Sequence, residues 1–188
     1  MRAYGSVRAV LAVSAALLLT AGCQRAAGGP AERVPPAPSK ATFLGPGACA
    51  AHGQAFTEVP CTSERAVARV SVRRAGTAHT AAGCPLNTDF VLYIDGRATA
   101  GYACMRNLEA PHPGDPGMGG GPFTVVGDCV YQAGEGQVKE TPCDGSGPEP
   151  PAYNVTKAVT RRTDCPPTTA MYVELTGGAQ RVGCARRL

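Results

Sequence analysis

Apolar and polar positions alternate along this chain in short bursts separated by Gly- and Pro-rich gaps, the pattern of half-buried strands rather than of helices. Val67-Ala68-Arg69-Val70-Ser71-Val72 and Tyr153-Asn154-Val155-Thr156-Lys157-Ala158-Val159 alternate most clearly and are rich in β-branched residues, as a strand with one face on a core requires. A candidate hairpin precedes each. Ala48 to Ala50 and Glu58 to Cys61 flank His52-Gly53-Gln54-Ala55, while 128–131 and 138–143 flank Ala133-Gly134-Glu135-Gly136. The second turn is the better signalled, because its glycines tolerate positive φ. Further on, Asp89 to Ile94 and Ala170 to Leu175 are strand-like. They reverse at Asp95-Gly96 and Gly177-Gly178 into Gly101 to Cys104 and Arg181 to Cys184.

The same order of elements thus occurs twice, and eight cysteines carry the same register. Cys49, Cys61, Cys84 and Cys104 are separated by 11, 22 and 19 residues, and Cys129, Cys143, Cys165 and Cys184 by 13, 21 and 18. Pro60-Cys61 answers Pro142-Cys143, Cys84-Pro85 answers Cys165-Pro166, and Leu108 and Leu188 each stand four residues past the last cysteine. This is a tandem duplication. The expected class is mainly β, α+β at most: two small disulfide-stapled antiparallel modules of about five short strands, with a helical turn near the Cys-Pro step as the helical element. The expected organisation is 1–22 signal peptide, 23–42 tether, 43–108 first repeat, 109–122 linker and 123–188 second repeat. The linker is expected to be flexible, from its density of Pro and Gly.

Composition explains why staples are needed. Repeats of this size are marginal on a hydrophobic core alone, and the chain has no Trp, four Phe and six Tyr against 24 Gly and 17 Pro. An even cysteine set at matched spacings reads as a disulfide framework, which persists outside the reducing cytosol. Four cysteines allow three pairings in each repeat. Hairpin symmetry favours first with second and third with fourth, with the two other pairings open.

The ninth cysteine, Cys23, has a different setting. Arg2 and Arg8 precede an apolar run from Ala9 to Leu19, and Leu19-Thr20-Ala21-Gly22 leads into Cys23. Basic, apolar, small-residue order is that of a secretory signal too short to remain as a spanning helix. The five residues resemble the bacterial lipobox, with Thr20 where leucine is commonest. The resemblance implies that Cys23 is lipidated, palmitate-type acyl chains included, and anchors the chain to the cell membrane on its extracytoplasmic face. The Pro/Ala/Gly-rich stretch 23–42 then reads as an extended spacer.

Charge adds little. Without Arg2 and Arg8 the balance is 16 basic to 14 acidic residues, or +2, which points to no nucleic-acid partner. Arg73-Arg74, Arg161-Arg162 and Arg186-Arg187 read as solvated strand ends. No Cys-x-x-Cys is present, and the shortest cysteine gap is 11 residues, so neither a thiol redox site nor a metal site is expected. His52, His79 and His112 have no counterparts in the second repeat and read as loop residues. Ser63, His79 and Asp89 compose a triad only on paper. Gly117 to Gly121 lacks the Lys-Ser/Thr of a phosphate loop, and Asn154-Val155-Thr156 fits a glycosylation acceptor that carries little weight beside a bacterial lipobox. No catalytic residue and no cofactor is expected. Asp89 and Asp128 are the acids that would reopen an enzymatic reading if a cleft raised their pKa.

Gly127-Asp128-Cys129-Val130, Pro142-Cys143, Tyr153-Asn154-Val155, Asp164-Cys165-Pro166 and Val182-Gly183-Cys184 resemble the repeat unit of the actinobacterial LppU family of lipoproteins. More distantly, the Gly-Asp-Cys and Pro-Cys elements are similar to those of septum-formation domains. The first repeat departs from the pattern at Ala48. The resemblance implies an uncharacterised envelope lipoprotein and supplies no catalytic residues. The functional expectation is a non-catalytic lipoprotein displaying two β modules that bind a protein or envelope component, with a secreted inhibitor or a structural spacer as the alternative and an unrecognised enzyme behind them.

Overall fold

The alternating segments become the centres of two sheets in a computed structural model that describes residues 43–76, 81–95 and 100–188. The first repeat contributes β1 (Cys49–Ala51), β2 (Thr57–Val59), β3 (Ala68–Ala75), β4 (Phe90–Ile94) and β5 (Gly101–Asn107), in the spatial order β2-β1-β3-β5-β4. The second contributes β6 (Cys129–Gly134), β7 (Gln137–Thr141), β8 (Tyr153–Val159), β9 (Met171–Glu174) and β10 (Val182–Arg187), in the order β7-β6-β8-β10-β9. Every pairing is antiparallel. The fold is all-β. Its helical content among the described residues is one 3₁₀ turn, Arg162–Asp164, directly before Cys165-Pro166; the helical turn expected at the Cys-Pro step is thus present in the second repeat and not at Cys84-Pro85 of the first. Both repeats lie within one unit, 38–188.

The duplication extends to single hydrogen bonds. Gly47 N–H donates to the Val70 carbonyl at 2.9 Å and Gly127 N–H to Val155 at 2.8 Å; Val70 N–H donates to Ala48 and Val155 N–H to Asp128. A register shift at Ser71 on β3 recurs at Thr156 on β8, so each repeat bends its central strand at the same place, as a β-bulge does. Leu108 and Leu188 close the units alike, through the Val67 and Ala152 carbonyls.

The four disulfides are Cys49–Cys61, Cys84–Cys104, Cys129–Cys143 and Cys165–Cys184, first with second and third with fourth in each repeat, as hairpin symmetry favoured. Each joins a loop cysteine to a cysteine on an interior strand of its sheet, β1, β5, β6 or β10. Leu44, Ala50, Ala68, Val70, Ile94, Ala103 and Met105 form the first core. Val130, Val155, Val173, Leu175 and Ala185 form the second. Five to seven side chains, mostly small, are a thin apolar payload, which is why covalent closure accompanies them.

Among the described residues, no helix is long and apolar enough to cross a membrane. The signal segment, Cys23 and the tether lie outside the described residues, as do His79 and Gly96.

Candidate functional site

The segment 109–122 joins the repeats, as its composition suggested, but it is bound to both of them rather than free. Asp89, which immediately precedes β4, has a fully buried side chain. One carboxylate oxygen accepts the Gly114 N–H at 3.0 Å and Arg106 Nη1 at 3.1 Å; the other accepts the Asn107 N–H at 2.7 Å and lies 3.2 Å from His112 Nδ1. Asp128, which immediately precedes β6, accepts the Gly117 N–H at 2.9 Å and the Val125 N–H at 2.6 Å. The Gly117 carbonyl in turn accepts the Cys143 N–H at 2.8 Å. A buried carboxylate needs donors on most of its lone pairs, and the joining segment supplies one backbone N–H to each, from Gly114 to Asp89 and from Gly117 to Asp128. Glycine is required for this approach: a Cβ on Gly114 would lie 2.1 Å from the Thr88 carbonyl oxygen, and one on Gly119 2.2 Å from the Pro142 nitrogen.

Arg106 of β5 completes the arrangement. Its guanidinium reaches Asp89, the Asn87 carbonyl at 2.8 Å and Asp115 at 2.7 Å. The hydrogen bond to Asp115 raises the Arg106 pKa further, and the same bond holds Asp115 below its usual range. Asp128 is shifted the other way, upward, because burial outweighs its two backbone donors. Glu140 on β7 is pushed up to about 7, first by burial and also by the Asp128 charge, against the Thr124 hydroxyl and the Gly120 N–H, which oppose the shift. Its Oε2 is buried without a hydrogen-bond partner. The corresponding acid of the first repeat, Glu58, is satisfied by the Leu44 N–H at 2.7 Å.

Beside this junction lies a cleft of about 630 Å³ walled by both repeats and the joining segment. Leu86 and Asn87 come from the first repeat, Gly114 and Pro116 from the join, and Val125, Val126, Ala158, Leu175 and 177–180 from the second. Leu86 leans across onto Gly177, where a Cβ would meet its Cδ2 at 2.4 Å. Leu86 and Val126 nevertheless keep 47% and 42% of their surface exposed, so the apolar walls face water. Asp89, Asp128 and Glu140 do not line it. Their carboxylates point into the junction, where backbone donors hold the first two.

The remaining sequence candidates disperse. Ser63 accepts the N–H of Arg65 at 3.2 Å and Asp89 faces His112 at 3.2 Å, while His79, the third member of the paper triad, lies outside the described residues. His52 stands edge-on to Phe56 at 4.9 Å. Gly117 to Gly121 belongs to the bound joining segment. The Asn154 amide turns inward to the Gly127 carbonyl at 3.0 Å, a structural use that the acceptor pattern had hidden. The arginine pairs are exposed, as expected, apart from half-buried Arg73; on that surface Arg162 stacks over Tyr172 at 5.3 Å, Arg187 over Tyr153 at 5.8 Å, and Arg161 pairs with Asp164 at 3.2 Å. Among the described residues no group of three His, Cys, Asp or Glu is placed to hold a metal ion. The chain matches no protein-family model, no curated protein and no solved structure.

Sequence reasoning missed the Asp89 and Asp128 pair as structural clamps. The signal was present in the alignment of the repeats, since each acid stands where the other repeat has alanine: Ala170 for Asp89, Ala48 for Asp128.

Proposed function

We propose that this chain is an LppU-like envelope lipoprotein, anchored through acylated Cys23 on the extracytoplasmic face of the cell membrane. Its fused repeats bind, without catalysis, an uncharged apolar group of a protein or envelope component in the inter-repeat cleft. The observation that carries the reading is the cleft itself. Leu86, Val125, Val126 and Leu175 give it apolar walls drawn from both repeats, and no charged side chain lines it. A pocket that is mostly apolar and built at the seam of two modules is a common form of ligand site. The lipid anchor rests on the lipobox pattern at Leu19 to Cys23 and on parity, since the other eight cysteines are paired with each other.

The test is a photo-crosslinking amino acid placed at Val126 in the full chain, in its own envelope, with a second placement at exposed Glu64. Irradiation is expected to give a discrete adduct from position 126, none from position 64, and none from position 126 once Leu86→Asp charges the cleft. Equal capture at both positions, or an adduct indifferent to Leu86→Asp, removes the cleft as the binding site.

A further inference from the structure

The two repeats share one topology, yet they treat the gap between their sheet edges differently. In the second repeat β7 and β9 are opposite edges of the sheet, and both wall a single groove of about 610 Å³. The sheet therefore curls until its edges face each other across an open slot. In the first repeat the corresponding edges are β2 and β4. There Phe56 and Phe90 stack with ring centroids 5.6 Å apart, against the first core. The strand registers place Val138 opposite Phe56 in the duplication, each two residues before the matched Glu140 and Glu58, and Met171 opposite Phe90, each paired to the residue after the last cysteine. The aromatic pair of one repeat is thus replaced by two smaller aliphatic side chains, half-buried against the second core, in the other.

The open slot has the features of a strand-accepting site. Among the described residues no strand pairs with the outer edge of β7 or of β9, so both present a row of backbone donors and acceptors. Val138, Met171 and Val173 line the slot, and Lys139 and Arg162 stand on it with no ion pair among the described residues. Its one acid, Glu174, is already matched by Arg181 at 3.2 Å. The free charge at the slot is therefore positive. A strand added to an edge takes affinity from backbone hydrogen bonds and specificity from alternate side chains.

We propose that the β7–β9 slot receives an extended peptide segment of a partner protein, one that turns an apolar side chain toward Val138, Met171 and Val173 and carries an acidic side chain for Lys139 and Arg162. This site is separate from the inter-repeat cleft and does not depend on it.

The experiment pans a displayed library of random nine-residue peptides against the full chain, and in parallel against the full chain carrying Val138→Phe and Met171→Phe. That double variant plugs the slot with the aromatic pair that the first repeat already folds around, and an unchanged melting temperature and disulfide map show that it is folded. Selected peptides are expected to alternate apolar and polar residues beside an Asp or Glu, to lose at least tenfold in affinity for the plugged variant, and to lose binding when alternate peptide amides are N-methylated. Lys139→Glu with Arg162→Glu should shift the selected charge from acidic to basic. Peptides that bind the plugged variant equally, or no enrichment over it, overturn the proposal. So does sedimentation showing a self-associated chain that the plug makes monomeric, because the occupant would then be a second copy.

Discussion

Asp89 and Asp128 grip one segment from two repeats: the first accepts the N–H of Gly114 at 3.0 Å, the second that of Gly117 at 2.9 Å. At the matching positions of the opposite repeats stand Ala170 and Ala48. The copies therefore differ in acid content where the chain between them must be held. Two tethered modules on a loose linker would gain by avidity. Two modules held this way present instead a single surface, which is what an apolar cleft drawn from both requires.

The two acids should not be equally costly to lose. Asp89 is fully buried and faces Arg106, His112 and two backbone N–H groups, so Asp89→Ala leaves donors and a cation without their partner. Truncating one side of a buried pair costs about 3–5 kcal/mol, and Asp89→Asn, which keeps an acceptor, should cost about 1–3 kcal/mol. Asp128 has no cation among its hydrogen-bond partners and its pKa is raised by burial, so Asp128→Asn should cost less than either. Urea unfolding of the three variants gives the ranking directly. Equal losses would mean that the carboxylates do not bear the junction.

Close backbone approach at the join predicts a second contrast. Gly119 has φ +75° and a Cβ there would press on the Pro142 nitrogen and Thr141 carbonyl carbon, whereas Gly136, at φ +67°, has open space. Gly136→Ala should cost about 1 kcal/mol, the backbone penalty alone. Gly119→Ala should add overpacking against immovable main chain, for a total of about 2–4 kcal/mol. Thermal unfolding of both variants measures the difference, and equal shifts would place the join away from β7.

How far the chain could be read before folding depends on what each feature needs. Strands such as Tyr153–Val159 announce themselves locally, by alternation and β-branching, and hairpin symmetry about local turns favours the observed disulfide pairing over two others that it leaves open. Contacts such as Asp89 with Gly114, 25 residues apart, leave no local mark. Gly and Pro in 109–122 looked like the composition of a spacer, because the same residues serve a segment that must move freely and one that must pack its backbone against others. Only the fold distinguishes them, by supplying the buried acids that use its N–H groups. The cleft was equally hidden, since Leu86 and Gly177 meet through tertiary structure alone.

Covalent closure should matter to both repeats alike. The bridges span 12 and 20 residues in the first and 14 and 19 in the second, and closing loops of this length contributes about 3 kcal/mol each in the loop-entropy account. Replacing Cys129 and Cys143 together by serine should therefore destabilise by about 2–4 kcal/mol, as should replacing Cys49 with Cys61. Denaturant midpoints test this, and a non-reducing peptide map checks that the remaining three bridges are unchanged. An effect confined to one repeat would mean that the copies no longer share their source of stability.

Cys23 carries a prediction of its own. Cells fed an alkyne-bearing fatty acid should label the wild-type chain and leave Cys23→Ser unlabelled, with the variant moving out of the membrane fraction, because two or more acyl chains are needed for stable anchoring. Label that persists in Cys23→Ser would dismiss the lipobox reading.

The junction should also make stability depend on pH, through Glu140. Its folded-state pKa, about 7, lies above the 4.5 of an unperturbed glutamate, with burial first among the causes and the Asp128 charge adding to it. The folded protein therefore holds a proton that the unfolded chain releases, and linkage fixes the direction. The Glu140 contribution is most favourable below about pH 4.5, falls as pH rises toward 7, and is at its least above that. One pKa unit corresponds to about 1.4 kcal/mol, and partial exposure of this side chain trims the full shift, so a loss of about 1–2 kcal/mol between pH 5 and pH 8 is expected. Asp128, also raised, acts in the same direction. Asp115, held low by Arg106, acts in the opposite one, but only in more acid solution, as pH falls through its depressed pKa. Glu140→Gln should flatten the slope between pH 5 and pH 8 and be more stable than wild type at pH 8, since a neutral amide replaces a charge whose Oε2 has no donor. Unfolding curves at the two pH values decide it: an unchanged slope in Glu140→Gln would mean that the carboxylate reaches water and that the tight join about Thr124 and Gly120 does not exclude it.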